Sequence, residues 1–510
     1  MLARVHSSAI LGIEAYPVEV EVDITRGMRK FDIVGLPDPA VRESRERVQA
    51  AINNSGFEFP TDQIVVNLAP ADVKKAGPAF DLPIAFGILV ASGQVSADDL
   101  DKVVMIGELS LDGLLRPVSG ALPVSLGARK WGSHCLVVPP DNGKEAAVVE
   151  DFEVYTADNL YDCVSLVEQG FMADPVEVTP EELEPATAPY AMDFADVRGQ
   201  EHVKRALEIA AAGGHNVLMI GPPGSGKTML ARRVPSILPP MALPEALEVT
   251  KLYSIAGLLP KKTALLHERP YRHPHHTVST AGLVGGGSIP QPGEISLAHN
   301  GVLFLDELPE FTSAALEVLR QPLEDGEVTI ARAQMALTFP ANFQLVAAMN
   351  PCPCGFFGDP MKPCTCAPSA VGKYQKRLSG PLLDRIDIHM EVPRLTPDEL
   401  MVRQPGEPSA AIQKRVVEAR RRQCERLAGT PFRHNADMSS KAVEDFCPLP
   451  EDCRSLLRAA IDQFGLSARA HDRIIKLART IADLEGAEGI QVPHLAEAVQ
   501  YRSLDRKLWG

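Results

Sequence analysis

One segment, HNVLMIGPPGSGKTMLARRV, constrains the fold of this chain more than any other, because it places a glycine-rich loop between an apolar strand and a helix. The loop at 221–228 fits the G-x-x-x-x-G-K-[ST] phosphate-binding pattern in full. Backbone N–H groups of such a loop surround phosphate oxygens, and the start of the helix adds favourable partial charge. A chance match would lack the strand and the helix, so the sequence predicts a parallel α/β nucleotide-binding core.

The loop supplies the predicted nucleotide ligands. Lys227 would reach the β- and γ-phosphates, and the Thr228 hydroxyl would be a ligand of Mg²⁺. The predicted ATP-binding residues are Gly221, Pro222, Pro223, Gly224, Ser225, Gly226, Lys227 and Thr228.

An apolar strand that ends in two carboxylates, GVLFLDEL at 301–308, follows later in the chain. Asp306 is expected to hold Mg²⁺ through water, and Glu307 to polarise the attacking water. Taken alone, the two acids would as readily cap the next helix. After a complete phosphate loop, the catalytic interpretation is favoured.

Three further positions are predicted to act on the γ-phosphate. Asn350 ends the apolar strand FQLVAAMN, at the sheet edge where ligands bind, and would hold the lytic water. Arg385, between two aspartates, is predicted to be an arginine finger for a neighbouring subunit, the alternative being a local salt bridge. Arg469, at the start of a late helix, would reach the same phosphate, with Arg473 as the alternative.

Length and composition limit the remaining possibilities. A chain of 510 residues predicts about three domains. No apolar stretch approaches the roughly 18 residues of a membrane span, and the N-terminus lacks a signal-peptide pattern, so we expect a cytoplasmic protein. A net charge of −15 argues against non-specific coating of nucleic acid, but allows a narrow basic channel.

The pattern along the chain predicts the domain boundaries. Residues 1–170 alternate short strands and helices, and residues 171–190, rich in Pro and Glu, read as a linker. Residues 191–393 form the nucleotide-binding core, and residues 394–510 are mostly helical in pattern.

Four of the nine cysteines cluster as two C-x-C pairs in NPCPCGFFGDPMKPCTCAPS. They are Cys352, Cys354, Cys364 and Cys366. Four such thiols predict a structural Zn²⁺ site, with reduced thiols or a redox pair as alternatives. For the HPHH run at 273–276, hydrogen bonding is favoured over a second metal site, because no carboxylate or cysteine stands nearby in the sequence.

These motifs, in this order, resemble the magnesium-chelatase-like AAA+ ATPases, and most closely the ComM/YifB family. The resemblance is carried by the runs at 34–52, 67–85 and 269–311 and covers nearly the whole chain. It implies an α/β AAA+ P-loop core with a helical C-terminal lid, preceded by an α+β domain of the ribosomal S5/Lon-protease type. It also implies a homo-oligomeric ring, expected to be hexameric, that uses ATP and Mg²⁺ to drive DNA branch migration in recombination and natural transformation.

The run KKAGPAFDLP at 74–83 resembles the active-site loop of Lon-type Ser–Lys proteases, without the residues for catalysis. Ala79 stands at the serine position. Leu122 stands where the resemblance expects the lysine. With neither nucleophile nor base, the resemblance implies a domain without peptidase activity that serves ring assembly or DNA contact.

The run EDGEVTIARAQMALTFPANFQ at 324–344 predicts a hairpin with its turn near 333–335. In the resembled group, a hairpin inserted here points into the central channel. Arg332 is the basic residue near its tip and is expected to contact the phosphates of branched or single-stranded DNA. The alternative is an ion pair with Glu327 across the hairpin.

Two rival functions are weighed against a DNA motor. A chelatase-type motor that drives a protein partner is disfavoured by the long N-terminal domain. An ATP-dependent protease is disfavoured by Ala79 and Leu122.

Overall fold

The computed structural model describes most of the chain. The described ranges are 2–72, 74–96, 100–184, 190–287, 290–332, 335–395, 406–464 and 468–502. Among these residues, no helix is both long enough and apolar enough to cross a membrane.

The N-terminal domain is built on a mixed sheet of seven strands in the order β3-β4-β2-β1-β5-β8-β9. Its strands and the small β6–β7 hairpin are β1 (Leu2–Leu11), β2 (Glu14–Thr25), β3 (Lys30–Val34), β4 (Gln63–Ala69), β5 (Val103–Met105), β6 (Glu108–Leu109), β7 (Leu115–Arg116), β8 (Cys135–Val138) and β9 (Glu153–Thr156). Along β2 every second residue, Val18, Val20 and Val22, is buried, as the twofold period of a strand requires.

Helices cover this sheet. They are α1 (Pro39–Asn54), α2 (Asp81–Ala91), α3 (Ala121–Lys130), α4 (Gly143–Ala146), α5 (Leu160–Glu168) and α6 (Pro180–Leu183). Asp38 caps α1 by accepting a 2.8 Å hydrogen bond from the Val41 N–H. Helix α2 is apolar on all sides and buried along most of its length, so it lies inside the domain. The predicted strands at 18–24 and 30–36 and helix at 40–56 are confirmed.

The segment predicted as a linker is more ordered than its composition indicates. Helix α6 lies within it, and the Glu182 carboxylate accepts a 3.0 Å hydrogen bond from the Thr179 N–H. Glu182 also pairs with Lys144 of the N-terminal domain at 2.8 Å. This part of the segment therefore docks against the domain that it follows.

The central domain contains a fully parallel sheet of five strands in the order β11-β14-β17-β10-β18. The strands of this domain, hairpins included, are β10 (Val217–Ile220), β11 (Tyr271–Arg272), β12 (Gly285–Gly286), β13 (Gln291–Pro292), β14 (Val302–Leu305), β15 (Glu327–Arg332), β16 (Met335–Pro340), β17 (Gln344–Met349) and β18 (Ile388–Glu391). Every residue of β10, β14 and β17 is buried, as expected for strands covered on both faces.

The helices of the central domain are α7 (Glu201–Gly213), α8 (Lys227–Ala231), α9 (Leu243–Ile255), α10 (Thr280–Val284), α11 (Glu294–Leu297), α12 (Ser313–Glu317), α13 (Pro322–Asp325), α14 (Pro368–Gln375) and α15 (Gly380–Leu383). Two antiparallel hairpins, β12–β13 and β15–β16, lie outside the main sheet. They pack together closely, because a Cβ atom on Gly285 would come within 2.9 Å of the Ile330 side chain.

The C-terminal region is helical, as the sequence predicts. Its described helices are α16 (Ser409–Arg426), α17 (Ser440–Phe446), α18 (Glu451–Phe464), α19 (Ala468–Glu485) and α20 (Val492–Gln500). Apolar side chains of α16 and α19 join those of α7 in one core. The C-terminal helices are therefore continuous with the hydrophobic core of the central domain.

Candidate functional site

The glycine-rich loop begins at the carboxyl end of β10, an interior strand of the parallel sheet that lies between β17 and β18. Gly224 and Gly226 have φ angles of 78° and 92°, which side-chain-bearing residues rarely adopt. The Lys227 ammonium group, almost buried, donates to the Gly221 carbonyl at 2.7 Å and the Pro222 carbonyl at 3.0 Å. Burial lowers the pKa of Lys227, and the nearby Asp306 and Glu307 carboxylates partly offset this effect. The ammonium thus lies within the loop that is to receive phosphate.

Three strand ends converge at this loop. The Thr228 hydroxyl, one residue past Lys227, donates to the Asp306 carboxylate at 2.6 Å. The Asn350 side-chain oxygen, just beyond β17, lies 3.4 Å from the Lys227 ammonium. These contacts join residues that follow β10, β14 and β17, whose carboxyl ends meet at one sheet edge. The Thr228 and Asp306 oxygens are of the kind that Mg²⁺ prefers, so the residues present fit that ion.

Glu307 stands at the open side of the site. Its backbone is left-handed, with φ 52°, and its N–H donates to the Asp306 carboxylate at 2.9 Å. Its own carboxylate is about half exposed and lies 3.3 Å from Nδ1 of His276. Its side chain is therefore accessible to a water molecule. His276 is a neighbour that the sequence analysis did not identify.

The other histidines of the HPHH run have separate contacts. His273 packs on Phe304 at 4.8 Å between ring centroids, and Nδ1 of His275 lies 2.9 Å from the Thr277 hydroxyl. Among the described residues, the four cysteines form the group of at least three His, Cys, Asp or Glu side chains that could hold one metal ion, and the HPHH histidines do not belong to it. The polar contacts of His275 and His276 agree with the hydrogen bonding expected for HPHH, whereas the contact shown for His273 is ring packing and His276 does have a carboxylate nearby.

Gln200 is a second residue that sequence reasoning missed. Its side-chain amide donates to the Ser225 carbonyl at 2.8 Å and to the Pro393 carbonyl at 3.1 Å. It therefore links the phosphate loop to the chain beyond β18. Its left-handed backbone, φ 55°, follows Gly199, and this Gly-Gln pair before a helix was the available signal.

The predicted arginines lie near the amino ends of β10 and β18, whereas the phosphate loop of the same chain follows the carboxyl end of β10. Asp387, just before β18, accepts a 3.1 Å hydrogen bond from the N–H of Asn216, which precedes β10. The Arg473 guanidinium lies 3.4 Å from Asp387, and the Asn216 side chain donates to the Arg385 carbonyl at 3.1 Å. The four residues of β10, roughly 13 Å of strand, separate this edge from the loop.

The Arg385 side chain is largely buried and has two polar partners. Its guanidinium pairs with Glu324 and donates to the Pro381 carbonyl at 2.8 Å. Its Nε is buried without a hydrogen-bond partner among the described residues. Arg385 and Arg469 both lower the pKa of the Glu324 carboxyl, which places Arg469 close to the same acid. The structure therefore brings Arg385, Arg469 and Arg473 to one edge of the molecule.

Asp387 organises this edge electrostatically. Burial of its carboxyl raises its pKa, but Arg473 and His215 more than offset burial and hold the pKa well below its usual range. Asp387 is therefore a fixed negative charge that anchors Arg473 and the sheet. Of the two late arginines, Arg473 has the defined ion pair, whereas Arg469 is exposed.

The four cysteines converge as the sequence predicts. Sγ of Cys352 lies 3.3 Å from that of Cys354 and 3.7 Å from that of Cys364, and the Cys354–Cys364 distance is 3.5 Å. All four sulfurs, including that of Cys366, lie within 4.8 Å of one another. A tetrahedral Zn–thiolate site with bonds near 2.3 Å separates its sulfurs by about 3.8 Å, so the cluster fits zinc. Backbone hydrogen bonding lowers the pKa of Cys354, whereas burial and the neighbouring sulfurs raise the pKa of Cys364 and Cys366, so the geometry, and not the pKa values, supports the metal site.

The two positions that depart from a Ser–Lys protease have different surroundings. Ala79 lines a cavity of about 550 Å³ together with Ser119 and with Ile255 and Pro290 of the central domain. Leu122 is fully buried in an apolar cluster with Leu265, also of the central domain. Leu122, at the position where a Ser–Lys protease would have its lysine, therefore contributes to the apolar contact between the two domains.

A buried polar contact joins the same two domains. The Ser254 hydroxyl in α9 donates to the Glu145 carboxylate in α4 at 2.6 Å, and the Asn142 amide donates to the same carboxylate at 2.6 Å. The Gly120 N–H donates to the Ser254 carbonyl at 3.1 Å. These contacts fix the N-terminal domain against the nucleotide-binding domain.

The predicted hairpin is confirmed as β15–β16, and the extent of β15, from Glu327 to Arg332, corrects one alternative. Glu327 lies opposite Pro340 at the base, whereas Arg332 lies opposite Met335 at the far end. Five residues of strand, about 17 Å, separate the two Cα positions, so an ion pair with Glu327 across the hairpin is wrong. The tip at 333–334 and the Arg332 side chain lie outside what the structure describes.

Three parts of the chain match models of known protein families. "Magnesium chelatase, subunit ChlI" matches residues 193–400. "Subunit ChlI of Mg-chelatase" matches residues 20–142, and "Magnesium chelatase, subunit ChlI C-terminal" matches residues 406–502.

Full-length relatives are also found. The chain is 45% identical over 511 residues to competence protein ComM of Haemophilus influenzae, covering 99% of this chain and 98% of the relative. It is 44% identical over 510 residues to the YifB protein of Salmonella typhimurium, with the same coverage. A shorter match, 34% identical over 154 residues, covers 28% of this chain and 26% of Lon protease 2 of Bacillus subtilis.

Proposed function

The chain belongs to the ComM/YifB family of magnesium-chelatase-like AAA+ ATPases, and from this premise we propose that it is an ATP-driven ring motor that migrates branches in DNA. The observation that carries the ATP-driven part is the convergence of Lys227, Thr228, Asp306 and Asn350 at one sheet edge, with Glu307 open beside them. The DNA part rests on the family relationship to a competence protein and on the β15–β16 hairpin.

Each residue at this edge has a proposed role in hydrolysis. The loop from Gly221 to Gly226 surrounds the phosphates, and Lys227 transfers its hydrogen bonds from loop carbonyls to phosphate oxygens. Thr228 and Asp306 hold Mg²⁺, which when bound neutralises charge on the phosphates. Glu307 accepts a proton from the attacking water, and the Asn350 amide orients that water.

The opposite edge is proposed to complete the site of a neighbouring subunit. Arg385 and Arg473 are too far from the loop of their own chain. Their side chains, 10% and 17% exposed, line an open cavity of about 750 Å³ at the other end of the sheet, where a second copy can dock. An arginine supplied in trans stabilises charge on the γ-phosphate. Such a head-to-tail interface closes into a ring, and we propose six subunits, with Arg469 as an additional cation at the same interface.

The hairpin is proposed to reach DNA in the centre of that ring. Arg332 stands at its far end, and repeated copies would form a ring of positive charge inside an acidic particle. Contacts with phosphates track a strand without reading its bases.

The domain boundaries are part of the proposal. We assign 1–170 to the Lon-like domain, 171–190 to the connecting segment, 191–393 to the AAA+ core and 394–510 to the helical lid. The positions of the helices and the matched family regions support this division. The connecting segment docks in part against the N-terminal domain, through the ion pair of Glu182 with Lys144.

A structural zinc ion is proposed at the four cysteines. Their sulfur separations suit a tetrahedral thiolate site. Elemental analysis of protein purified without added metal should give about one zinc per chain. The Cys352→Ser/Cys364→Ser variant should lose it, and full zinc retention in that variant would exclude this site.

A chelatase-type motor that drives a protein partner is the second candidate, because the matched family regions are named after the magnesium chelatase subunit ChlI. The decisive test is strand exchange on a synthetic four-way junction. A DNA motor converts the junction into products with ATP and Mg²⁺, but not with ATP when Lys227 is replaced by Ala. Junctions that remain intact under wild-type ATP turnover would favour the protein-partner function.

A further inference from the structure

The segment between the two cysteine pairs lies directly against the phosphate-binding loop. Gly355, with φ 85°, approaches Pro223 so closely that a Cβ atom there would come within 2.5 Å of the proline ring. A side chain at Gly355 would therefore displace the phosphate loop, the cysteine segment or both.

One guanidinium group connects the same two segments. The Arg394 guanidinium packs over the Phe356 ring at 5.1 Å, and its Nε lies 3.3 Å from the Asp359 carboxylate, which is 2% exposed. Its Nη2 donates to the Pro223 carbonyl at 3.3 Å. Phe356 and Asp359 both belong to the stretch that the four sulfurs close, so Arg394 links this stretch to the phosphate loop.

The other end of the cysteine segment is tied to the nucleotide site as well. Asn350, two residues before Cys352, contacts Lys227 through its side-chain oxygen at 3.4 Å. The Gln375 side chain donates to the Pro351 carbonyl at 3.2 Å, which fixes the start of the segment against α14. The cysteine segment is thus held between two contacts with the phosphate loop.

We propose that metal occupancy of the four-cysteine site sets the affinity of the phosphate loop for nucleotide, with Arg394 as the positioning residue that transmits the effect. This inference rests on the proposed function, since it requires zinc at the cysteines and ATP at the loop. The physical reason is the cross-link: four metal–sulfur bonds would tie residues 352–354 to residues 364–366, whereas four thiols without the ion supply no bonds that hold the stretch between them in place. Loss of the ion opens the segment, and Asp359 and Phe356 no longer hold Arg394 on the Pro223 carbonyl.

Linkage makes the effect reciprocal. If the metal tightens nucleotide binding, bound nucleotide must retain the metal more strongly by the same factor. The affinity of the full-length protein for zinc, measured at equilibrium against a competing chelator, should therefore rise when ADP is present. This measurement does not depend on catalysis.

Binding of a fluorescent ADP analogue to full-length variants tests whether Arg394 transmits the effect of the metal to the phosphate loop. Arg394→Met should keep its zinc but bind nucleotide about tenfold more weakly, because a charge-assisted hydrogen bond to the loop is lost. Arg394→Lys, which still donates to Pro223, should recover part of the affinity. Lys362→Met, which removes another cation from the Phe356 ring at 4.2 Å, should bind as wild type does.

The cysteine variants close a thermodynamic cycle. Cys352→Ser/Cys364→Ser should lose zinc and weaken ADP binding about as much as Arg394→Met, and the two changes combined should be no worse than either alone. Wild-type protein stripped of zinc by a chelator should lose affinity and regain it when zinc returns. The exposed Cys424, changed to Ser, is the control for removal of a thiol and should keep both zinc and affinity.

Three results would overturn the inference: wild-type nucleotide affinity in the zinc-free protein, additive effects of the cysteine and Arg394 changes, or a zinc affinity unaffected by ADP. The proposed function fails in a different way. It fails if the wild-type protein binds no nucleotide, or if Lys227→Ala binds as well as wild type.

Discussion

The Thr228 hydroxyl donates a hydrogen bond of 2.6 Å to the Asp306 carboxylate, although the two residues are 78 positions apart in the chain. The contact joins the start of α8 to the end of β14 across the sheet edge. The oxygens that are proposed to hold Mg²⁺ are therefore already together in the folded chain, and little rearrangement is needed to bind the ion.

Changing Glu307 to Gln should separate nucleotide binding from turnover. The half-exposed carboxylate is proposed to accept the proton of water, so its loss should lower the ATPase rate about 100-fold or more and leave ATP trapped. ATPase rates and bound nucleotide measured on the same protein test this. Glu310→Gln, three residues along and paired with Arg377, is the matched control. Equal ATPase rates in the Glu307 and Glu310 variants would remove Glu307 from the mechanism.

Mixing inactive subunits should restore part of the ATPase activity. Arg385→Ala should bind ATP without turnover, whereas Lys227→Ala should not bind it. In a mixed ring, some interfaces pair an intact loop from one variant with an intact Arg385 from the other. Titration of one variant against the other checks this, with Arg421→Ala, an exposed residue of α16, as the active control. A mixture that stays inactive at every ratio contradicts a site shared between subunits.

Arg332→Glu should uncouple ATP hydrolysis from DNA. Basal ATPase should stay near wild type, while DNA binding weakens and junction migration stops, since a charge reversal opposes phosphate contact. Wild-type DNA binding should also fall steeply with salt. The comparison is Arg458→Glu, the same charge change on an exposed position of α18. If the Arg332 variant migrates junctions as the Arg458 variant does, the hairpin is not the DNA contact.

Leu122→Ala should loosen the joint between the N-terminal and central domains. The side chain is fully buried against Leu265, and a cavity left by such a change costs about 2–5 kcal/mol. Thermal melting and limited proteolysis would detect it. Leu111→Ala, which alters an exposed leucine of the same domain, should melt as wild type does. The same melting temperature in both variants would show that the buried Leu122 side chain does not stabilise the contact between the two domains.

The pH dependence of stability should change in Glu145→Gln. Burial raises the pKa of the Glu145 carboxyl, and hydrogen bonds from Ser254 and Asn142 offset this only in part. The unfolded chain loses the proton near its ordinary pKa of 4.5, whereas the native protein keeps it to higher pH. Stability from this group is therefore full below the unfolded pKa and lost as pH rises through the native one.

The melting temperature of Glu145→Gln, relative to wild type, should accordingly increase as the pH is raised from about 4.5. The exposed Glu150, changed to Gln, should show no such trend. A difference between Glu145→Gln and wild type that is constant with pH, or that decreases, would contradict a buried carboxyl whose charge opposes docking of the domains.

Local motifs by themselves determined the central elements of this protein. The loop at 221–228, the acids after β14 and the C-x-C pairs each place their groups through a few adjacent backbone angles, so short sequence patterns specify them. The strong period of β2 and the apolar run of α2 similarly predicted their faces without knowledge of their partners.

Tertiary structure alone decided which distant residues meet. Sequence reasoning could not foresee Gln200 on the Ser225 carbonyl, Arg394 on that of Pro223, or Leu122 packed against Leu265. The distance between Arg332 and Glu327, by contrast, follows from their spacing along one strand, β15, and was available from the sequence once that strand was assigned. The three distant contacts were not available, for a physical reason: they depend on how whole elements pack and pair across long stretches of chain. A single side chain carries no local signal of the neighbour that packing will bring to it.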